Sequence, residues 1–120
     1  MSENQVLGIM QTVESIHPDA SVEEAVQKMS TQGKDVLLIE QADEYIGIFT
    51  KTDLIKLLEK NINPSDVNVS SVMSRPILSI DASASVDEAR KKMLEKKLRH
   101  YAVTQNGGII GIISIMDMNL

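Results

Sequence analysis

Two short stretches of the chain combine hydroxyl and carboxylate side chains, each directly after an apolar run. The first is Thr50-Lys51-Thr52-Asp53, and Ser114 and Asp117 repeat its first and last positions further along the chain. A carboxylate can accept hydrogen bonds from two neighbouring sugar hydroxyls, and hydroxyls at a helix N-terminus can bind phosphate. The same residue types cap helices and favour the helix dipole, so a purely structural role fits them as well.

Composition excludes several kinds of catalytic and metal chemistry. The chain of 120 residues has no cysteine and two histidines, which excludes a cysteine nucleophile and a thiolate zinc site and argues against any metal centre. An enzyme that used Asp53 and Asp117 as paired carboxylates would lack a nucleophile–base pair. We therefore predict no catalytic residues, no metal ligands and no enzymatic activity.

Charge and hydropathy argue against nucleic-acid and membrane partners. Twelve basic residues against seventeen acidic ones give a formal net charge of −5, and one Phe with two Tyr offers little surface for base stacking. The apolar runs are far shorter than a membrane span, and the first ten residues do not resemble a signal peptide. We expect a cytoplasmic protein.

The chain contains an internal repeat, which is its strongest signal. Residues 20–25 align with residues 84–89, residues 46–48 with residues 110–112, and Asp53 with Asp117, all at an offset of 64 positions. A repeat of this size buries too little apolar surface to fold alone. We therefore expect the halves to pack with pseudo-twofold symmetry around one cleft.

Each repeat predicts a helix followed by two short strands. Ser21 and Ser85 both begin the pattern Ser-x-x-Glu, which is typical of a capping box that opens a helix, and Gly33 is placed to end the first helix. Short apolar runs rich in β-branched residues follow each helix and predict strands. Asn106-Gly107 indicates a tight turn between the second pair of strands.

A further helix is expected after each pair of strands, with different lengths in the two halves. The first half continues for several residues beyond Thr50, whereas the second ends at Leu120, a few residues after Ser114. A short, fraying helix binds an anion less well. Both Pro18 and Pro76 are expected to follow trans peptide bonds.

In their order and spacing these motifs resemble the CBS domain family, and two in tandem resemble a CBS pair, or Bateman module. The matching stretches are residues 16–25, Met29, residues 47–54, 72–76 and 84–89, Met93, and residues 98–103 and 111–117. The resemblance implies an α/β fold (an α+β sandwich) of two β-α-β-β-α motifs. Residues 8–60 would form the first motif and residues 72–120 the second, within one module spanning residues 1–120.

The resemblance also implies a regulatory role. Modules of this family form dimers and bind adenosine-containing ligands such as AMP, ADP, ATP, NAD or S-adenosylmethionine, and they alter an enzyme, channel or transporter. We therefore expect a homodimer that binds an adenine nucleotide, requires no cofactor, and signals to a regulated protein that the sequence does not identify. The alternative is a ligand-free module for dimerisation or protein interaction.

By this resemblance, Asp53 would bind the ribose, with Thr50 and Thr52 near the ribose or the phosphate. Ser114 and Asp117 match the same positions, although Met116 replaces a hydroxyl residue. We therefore expect a weaker second site there, or only a cap.

Other candidates would complete the ligand site. By the same resemblance, Arg99 and His100 would face the phosphate, and a guanidinium and a protonated imidazole both suit an anion. The alternative is a solvated Arg99 paired with Glu95 and a half-buried His100. Ile16 and Ile80 are candidates for the adenine slot, with core packing as their alternative role.

Overall fold

The computed structural model describes residues 4–118, which form two compact units. The N-terminal unit contains residues 14–77, and the C-terminal unit combines residues 4–13 with residues 78–118. Each unit holds one three-stranded sheet. The mixed α/β class and the repeated β-α-β-β order predicted from the sequence are therefore confirmed.

The N-terminal unit alternates strands and helices. Its elements are β1 (Ser15–Ile16), α1 (Val22–Gln32), β2 (Val36–Gln41), β3 (Glu44–Thr50) and α2 (Lys51–Glu59). Strand β2 lies at the centre of the sheet, parallel to β1 and antiparallel to β3. The long antiparallel pairing with β2 ends at Thr50, where the chain turns directly into α2.

The bounds of α1 follow the predicted signals. The Ser21 hydroxyl accepts a hydrogen bond from the Glu24 amide at 3.0 Å, and the Glu24 carboxylate accepts one from the Ser21 amide. Gly33 ends the helix in the left-handed region at φ 64°, which a glycine adopts without steric cost. The predicted capping box and helix stop are both confirmed.

The C-terminal unit repeats this order up to its last element. It contains β4 (Ser79–Asp81), α3 (Val86–Lys96), β5 (His100–Gln105) and β6 (Gly108–Ser114). A 3-10 turn, Ile115–Met118, stands where α2 stands in the first repeat. Asn119 and Leu120, the end of the predicted second motif, lie outside the described residues.

Each unit has its own apolar core. In the N-terminal unit, Phe49, Leu37 and Ile39 of the sheet pack against Val22 and Ala25 of α1. In the C-terminal unit, sheet, helix and N-terminal segment share a core that includes Val103, Ile113, Met93 and Val6. The apolar periodicity of each repeat therefore predicts the side chains that become buried.

Each sheet is also covered by a segment that the helix and strand signals did not reveal. A 3-10 turn at Val69–Ser71 leads to Ser74, whose backbone pairs with Ile48 of β3. In the C-terminal unit, Val6–Gly8 forms the equivalent turn and Gln11 pairs with Ile112 of β6. These two segments bring a polar side chain beside each carboxylate of the candidate sites.

The peptide bond between Arg75 and Pro76 is cis, so the expectation of a trans bond at Pro76 was wrong. Proline amides prefer the trans form only slightly, so the surrounding fold decides which isomer is present.

Among the helices within residues 4–118, none has the length and apolar character that spanning a membrane requires.

Candidate functional site

The Asp53 carboxylate lies at the start of α2 and is held by three donors. Its Oδ2 accepts hydrogen bonds from the Thr50 amide at 2.9 Å and from the Thr50 hydroxyl at 3.3 Å. Its Oδ1 accepts one from the Ser74 hydroxyl at 2.9 Å. Asp53 is only 8% exposed, so these bonds compensate for much of the lost hydration of the carboxylate.

This arrangement gives Asp53 a structural role and limits what else it can bind. An ionised carboxylate has about four acceptor sites, and three are occupied within the protein. A ligand with two neighbouring hydroxyls would therefore displace at least one of the two side-chain hydroxyls. The 3.3 Å bond from Thr50 is the longest of the three and the easiest to exchange.

Asp117 occupies the equivalent position in the C-terminal unit with a different set of donors. The Gln11 side-chain amide donates to both of its oxygens, at 3.0 and 2.9 Å. The Ser114 amide donates to Oδ2 at 3.1 Å. The Ser114 hydroxyl accepts a bond from the Met116 amide at 3.1 Å, so this pair also caps the turn that follows β6.

The C-terminal unit brings one further candidate beside this pair. His100 begins β5 and lies opposite Ser114 in the antiparallel ladder, where cross-strand side chains are about 5 Å apart. His100 is therefore a neighbour of Ser114 at the end of β6, and the Ser114 amide bonds to Asp117. Ligand binding by these three residues stays a prediction.

The remaining candidates differ in how accessible they are. Thr52 is exposed on the first turn of α2, and Arg99 is exposed just before β5. Within residues 4–118, Arg99 makes no ion pair, so the alternative pairing with Glu95 is not formed. Ile80 is a buried core residue and Ile16 packs half-buried against the core of the N-terminal unit, which favours the packing role for both.

Sequence reasoning missed the two side chains that hold the carboxylates. Ser74 lies 21 positions from Asp53, and Gln11 lies 106 positions from Asp117. Neither belongs to a strand or a helix, and although Ser74 lies within the stretch 72–76 that matches the family, nothing in that match marks it as a partner of Asp53. Only the paths of the two covering segments place them, and no local sequence pattern marks those paths.

The fold and the paired junctions define a class of protein: a tandem α/β repeat with a hydroxyl–carboxylate pair at the end of the last strand of each sheet. The sequence model of the CBS domain matches residues 5–60 and 69–119. The chain therefore belongs to the CBS domain family, as a CBS-pair protein of the regulatory kind.

Individual relatives agree with this assignment. MK0525 of Methanopyrus kandleri is 34% identical over 104 residues, which cover 84% of this chain and 53% of that protein. The crystal structure of the CBS-domain protein NE2398 matches with a TM-score of 0.87 and 29% identity, covering 95% of this chain and 93% of that one. This chain therefore spans about half the length of MK0525 and nearly all of NE2398.

One similar structure contains a ligand. The CBS-domain protein PAE2072 from Pyrobaculum aerophilum was solved in complex with AMP; its TM-score is 0.83, and the match covers 94% of this chain and 88% of that one. The identity is 16%, so the likeness shows a common fold alone.

Proposed function

We propose that this protein binds an adenosine-containing ligand of the AMP or ATP class and signals its presence to a partner protein. The observation that carries the proposal is the Asp53 carboxylate, held at a strand-to-helix junction beside two exchangeable hydroxyl donors. AMP in the similarly folded PAE2072 supports the choice of ligand class.

The ribose would bind by exchange of hydrogen bonds. Its two hydroxyls replace the Thr50 and Ser74 hydroxyls as donors to Asp53, while the Thr50 amide keeps its bond to Oδ2. The ribose hydroxyls keep the carboxylate hydrogen-bonded, and one of them replaces the long 3.3 Å bond from the Thr50 hydroxyl, so the exchange gives a net gain in binding free energy. Thr52 would contribute near the ribose or the phosphate, and Arg99 and His100 stay candidates for binding a phosphate.

Signalling would follow from a difference in affinity. A ligand shifts a protein toward the conformation that it binds more tightly. A bound ribose would release the Ser74 hydroxyl, and Ser74 pairs through its backbone with β3. The covering segment that contains Ser74 is therefore the element whose conformation reports occupancy. We further propose that the protein acts in the cytoplasm as a homodimer.

A second function is favoured by the cluster around Asp117. The protein itself supplies donors to both of its oxygens through Gln11, as a purely structural carboxylate requires. If Asp53 serves in the same way, the chain is a ligand-free module for dimerisation or protein interaction.

A thermal-shift panel separates the two functions. The protein is heated with AMP, ADP, ATP, NAD and S-adenosylmethionine in turn, each in excess. A ligand at 100 times its Kd should add about 2.7 kcal/mol of stability, which raises the Tm by roughly 10 °C for a chain of this size. We expect at least one ligand to do so in the wild type.

Two matched variants test the assignment to Asp53. Asp53→Asn and Asp117→Asn make the same change at equivalent helix or turn starts. We expect the ligand-induced shift to fall to about half or less in Asp53→Asn and to persist in full in Asp117→Asn. No shift with any of the five compounds would support the interaction module, and loss only in Asp117→Asn would place the ligand at the other junction.

A further inference from the structure

A groove between α2 and the segment that follows it has Asp53 of the proposed ribose site in its lining, but neither Thr50 nor Ser74. It encloses about 410 Å³, and its lining comes from both sides of the linker after α2. Volumes of this order are typical of small-molecule sites in proteins. Every lining residue belongs to the N-terminal unit.

One wall of the groove is apolar and belongs to the folded core. Leu57 is a buried core residue, and Val67 and Val72 pack half-buried against the same core. Ile62, at 36% exposure, extends this wall toward solvent. The wall therefore presents a firm apolar surface to whatever enters the groove.

The charged residues at the groove are two lysines and one aspartate. Lys56 lies in the last turn of α2 and Lys60 is the C-cap residue that follows the helix. Within residues 4–118 neither makes an ion pair. Asp53, the only acidic lining residue, already accepts three hydrogen bonds from Thr50 and Ser74. The lining thus carries a formal charge of +1 in a protein whose net charge is −5.

A helix C-terminus favours basic residues by itself, which explains lysines at this end of α2. It does not explain an apolar wall and an enclosed volume beside them. Lysine ammonium groups on flexible stems can reach over such a wall and bind an anionic group. The combination suits a ligand with an apolar body and one anionic group.

We propose that this groove binds a small organic anion, in which Lys56 and Lys60 bind a phosphate or carboxylate and the apolar body packs on Leu57, Val67 and Val72. The groove shares Asp53 with the adenosine site proposed above, but the two lysines and the apolar wall have no part in that site. The ligand binds through these residues and makes no hydrogen bond to the Asp53 carboxylate.

The test uses phenyl phosphate as the probe, with inorganic phosphate and phenol as its two separate halves. Each is titrated into the uniformly ¹⁵N-labelled full chain, and backbone amide shifts are followed by NMR. We expect phenyl phosphate to give saturable shifts centred on the amides of Lys60, Ile62, Ser71 and Val72. Its Kd should be at least tenfold lower than that of either half. Equal binding of phenyl phosphate and inorganic phosphate, or shifts spread over the whole chain, would overturn the proposal.

A pair of double variants assigns the binding to the lysines. Lys56→Gln/Lys60→Gln should lower the affinity for phenyl phosphate at least tenfold. The control, Lys91→Gln/Lys92→Gln, removes the same charge from exposed positions of α3 and should leave the affinity unchanged. All four side chains are exposed, so neither double variant should disturb the core. Amide shifts outside the groove that match those of the wild type verify that each variant is folded. Equal effects of the two double variants would contradict a site at the groove.

The same samples distinguish this proposal from the adenosine site. AMP should shift the amides of residues 50–53 in the wild type and in Lys56→Gln/Lys60→Gln alike. If AMP fails to bind while phenyl phosphate still occupies the groove, only the adenosine site is refuted. If AMP shifts the groove amides and the double variant abolishes this, the groove is the nucleotide's own phosphate site and the proposal of an independent site fails.

Discussion

At the scale of single residues, Gly47 and Gly111 are required because a methionine occupies the space where a Cβ would be. A Cβ at Gly47 would overlap the Met73 thioether, and a Cβ at Gly111 would overlap that of Met10. Both methionines belong to the covering segments, and both glycines lie on the last strand of a sheet. The repeated Ile-Gly-Ile motif is therefore the place where each covering segment approaches its sheet.

We expect Gly47→Ala to lower the free energy of unfolding by about 1–3 kcal/mol, because it overpacks this contact. Urea denaturation measures the change. In a Met73→Ala background the same substitution should cost clearly less, since the clashing side chain is gone. Gly108→Ala is the control, because its nearest neighbour would be 3.9 Å away; an equal loss at Gly108 would contradict the steric cause.

The stability of one surface turn depends on pH through the carboxylate of Asp81. Its Oδ2 accepts hydrogen bonds from the Ser83 amide at 2.9 Å and the Ser83 hydroxyl at 2.5 Å. These bonds lower the pKa of Asp81 below its ordinary value, and the bond from the Ser83 hydroxyl has the larger effect. The folded pKa is thus below the unfolded one, so their stabilising effect is present above the unfolded pKa and is lost as the pH falls through the folded pKa.

We expect Ser83→Ala to raise the pKa of Asp81 part of the way back, because the amide bond remains. A ¹³C NMR titration of the Asp81 carboxyl carbon in both proteins measures this. An unchanged pKa in the variant would show that the hydroxyl does not stabilise the carboxylate.

At the scale of elements, the two hairpins are equal in length and differ in turn chemistry. Asn106 and Gly107 join β5 to β6 at φ 53° and 83°, which confirms the turn predicted from their types. Ala42 and Asp43 join β2 to β3 at φ 52° and 64°. Alanine rarely adopts this region, so the strand signals predicted the hairpin but no residue pattern marked its turn.

The double substitution Ala42→Asn/Asp43→Gly transfers the favourable turn to the N-terminal unit. We expect it to stabilise the protein by about 1 kcal/mol, because it removes a left-handed alanine and installs the pair preferred in two-residue hairpins. Urea denaturation at unchanged m-value measures the gain. The reverse exchange, Asn106→Ala/Gly107→Asp, should be destabilising, and stabilisation by both exchanges would contradict this explanation.

The sequence predicts most accurately the features whose signals lie in neighbouring residues. The capping serines, Gly33 and the alternation of helix and strands follow from residue type and spacing, and so does the position of Asp53 at the start of α2. The partners of Asp53 and Asp117 do not, because Ser74 and Gln11 arrive on segments far away along the chain. The site was thus predictable as a set of acceptors but not as a set of hydrogen bonds.

At the scale of the whole molecule, each compact unit contains a covering segment that lies outside its own helix and strands. Val6 is fully buried in the C-terminal unit although it lies 72 positions before Leu78 in the chain. Val69 is fully buried in the N-terminal unit, in the equivalent 3-10 turn. The C-terminal unit therefore depends on residues from both ends of the described chain.

We expect Val6→Ala and Val69→Ala each to destabilise the protein by roughly 1.5–3 kcal/mol, through lost burial and a residual cavity. Their effects should be local. Hydrogen exchange should show faster opening at Ile112 in Val6→Ala and at Ile48 in Val69→Ala, because these amides bond to the covering segments. The opposite pattern would contradict the assignment of the segments to the two units.

The most direct measurement of the proposed function compares ligands as well as proteins. Wild type and Asp53→Asn are each titrated calorimetrically with AMP and with its 2′,3′-dideoxy analogue, which lacks both ribose hydroxyls. Hydrogen bonds to a charged group contribute about 1.5–3 kcal/mol. We predict that Asp53→Asn lowers the affinity for AMP roughly 10- to 100-fold, and that removal of the ribose hydroxyls lowers the affinity of the wild type by a similar factor. The affinity of Asp53→Asn for the dideoxy analogue should be little lower than after either change alone. Equal affinity of the wild type for AMP and for the dideoxy analogue would contradict a ribose site at Asp53.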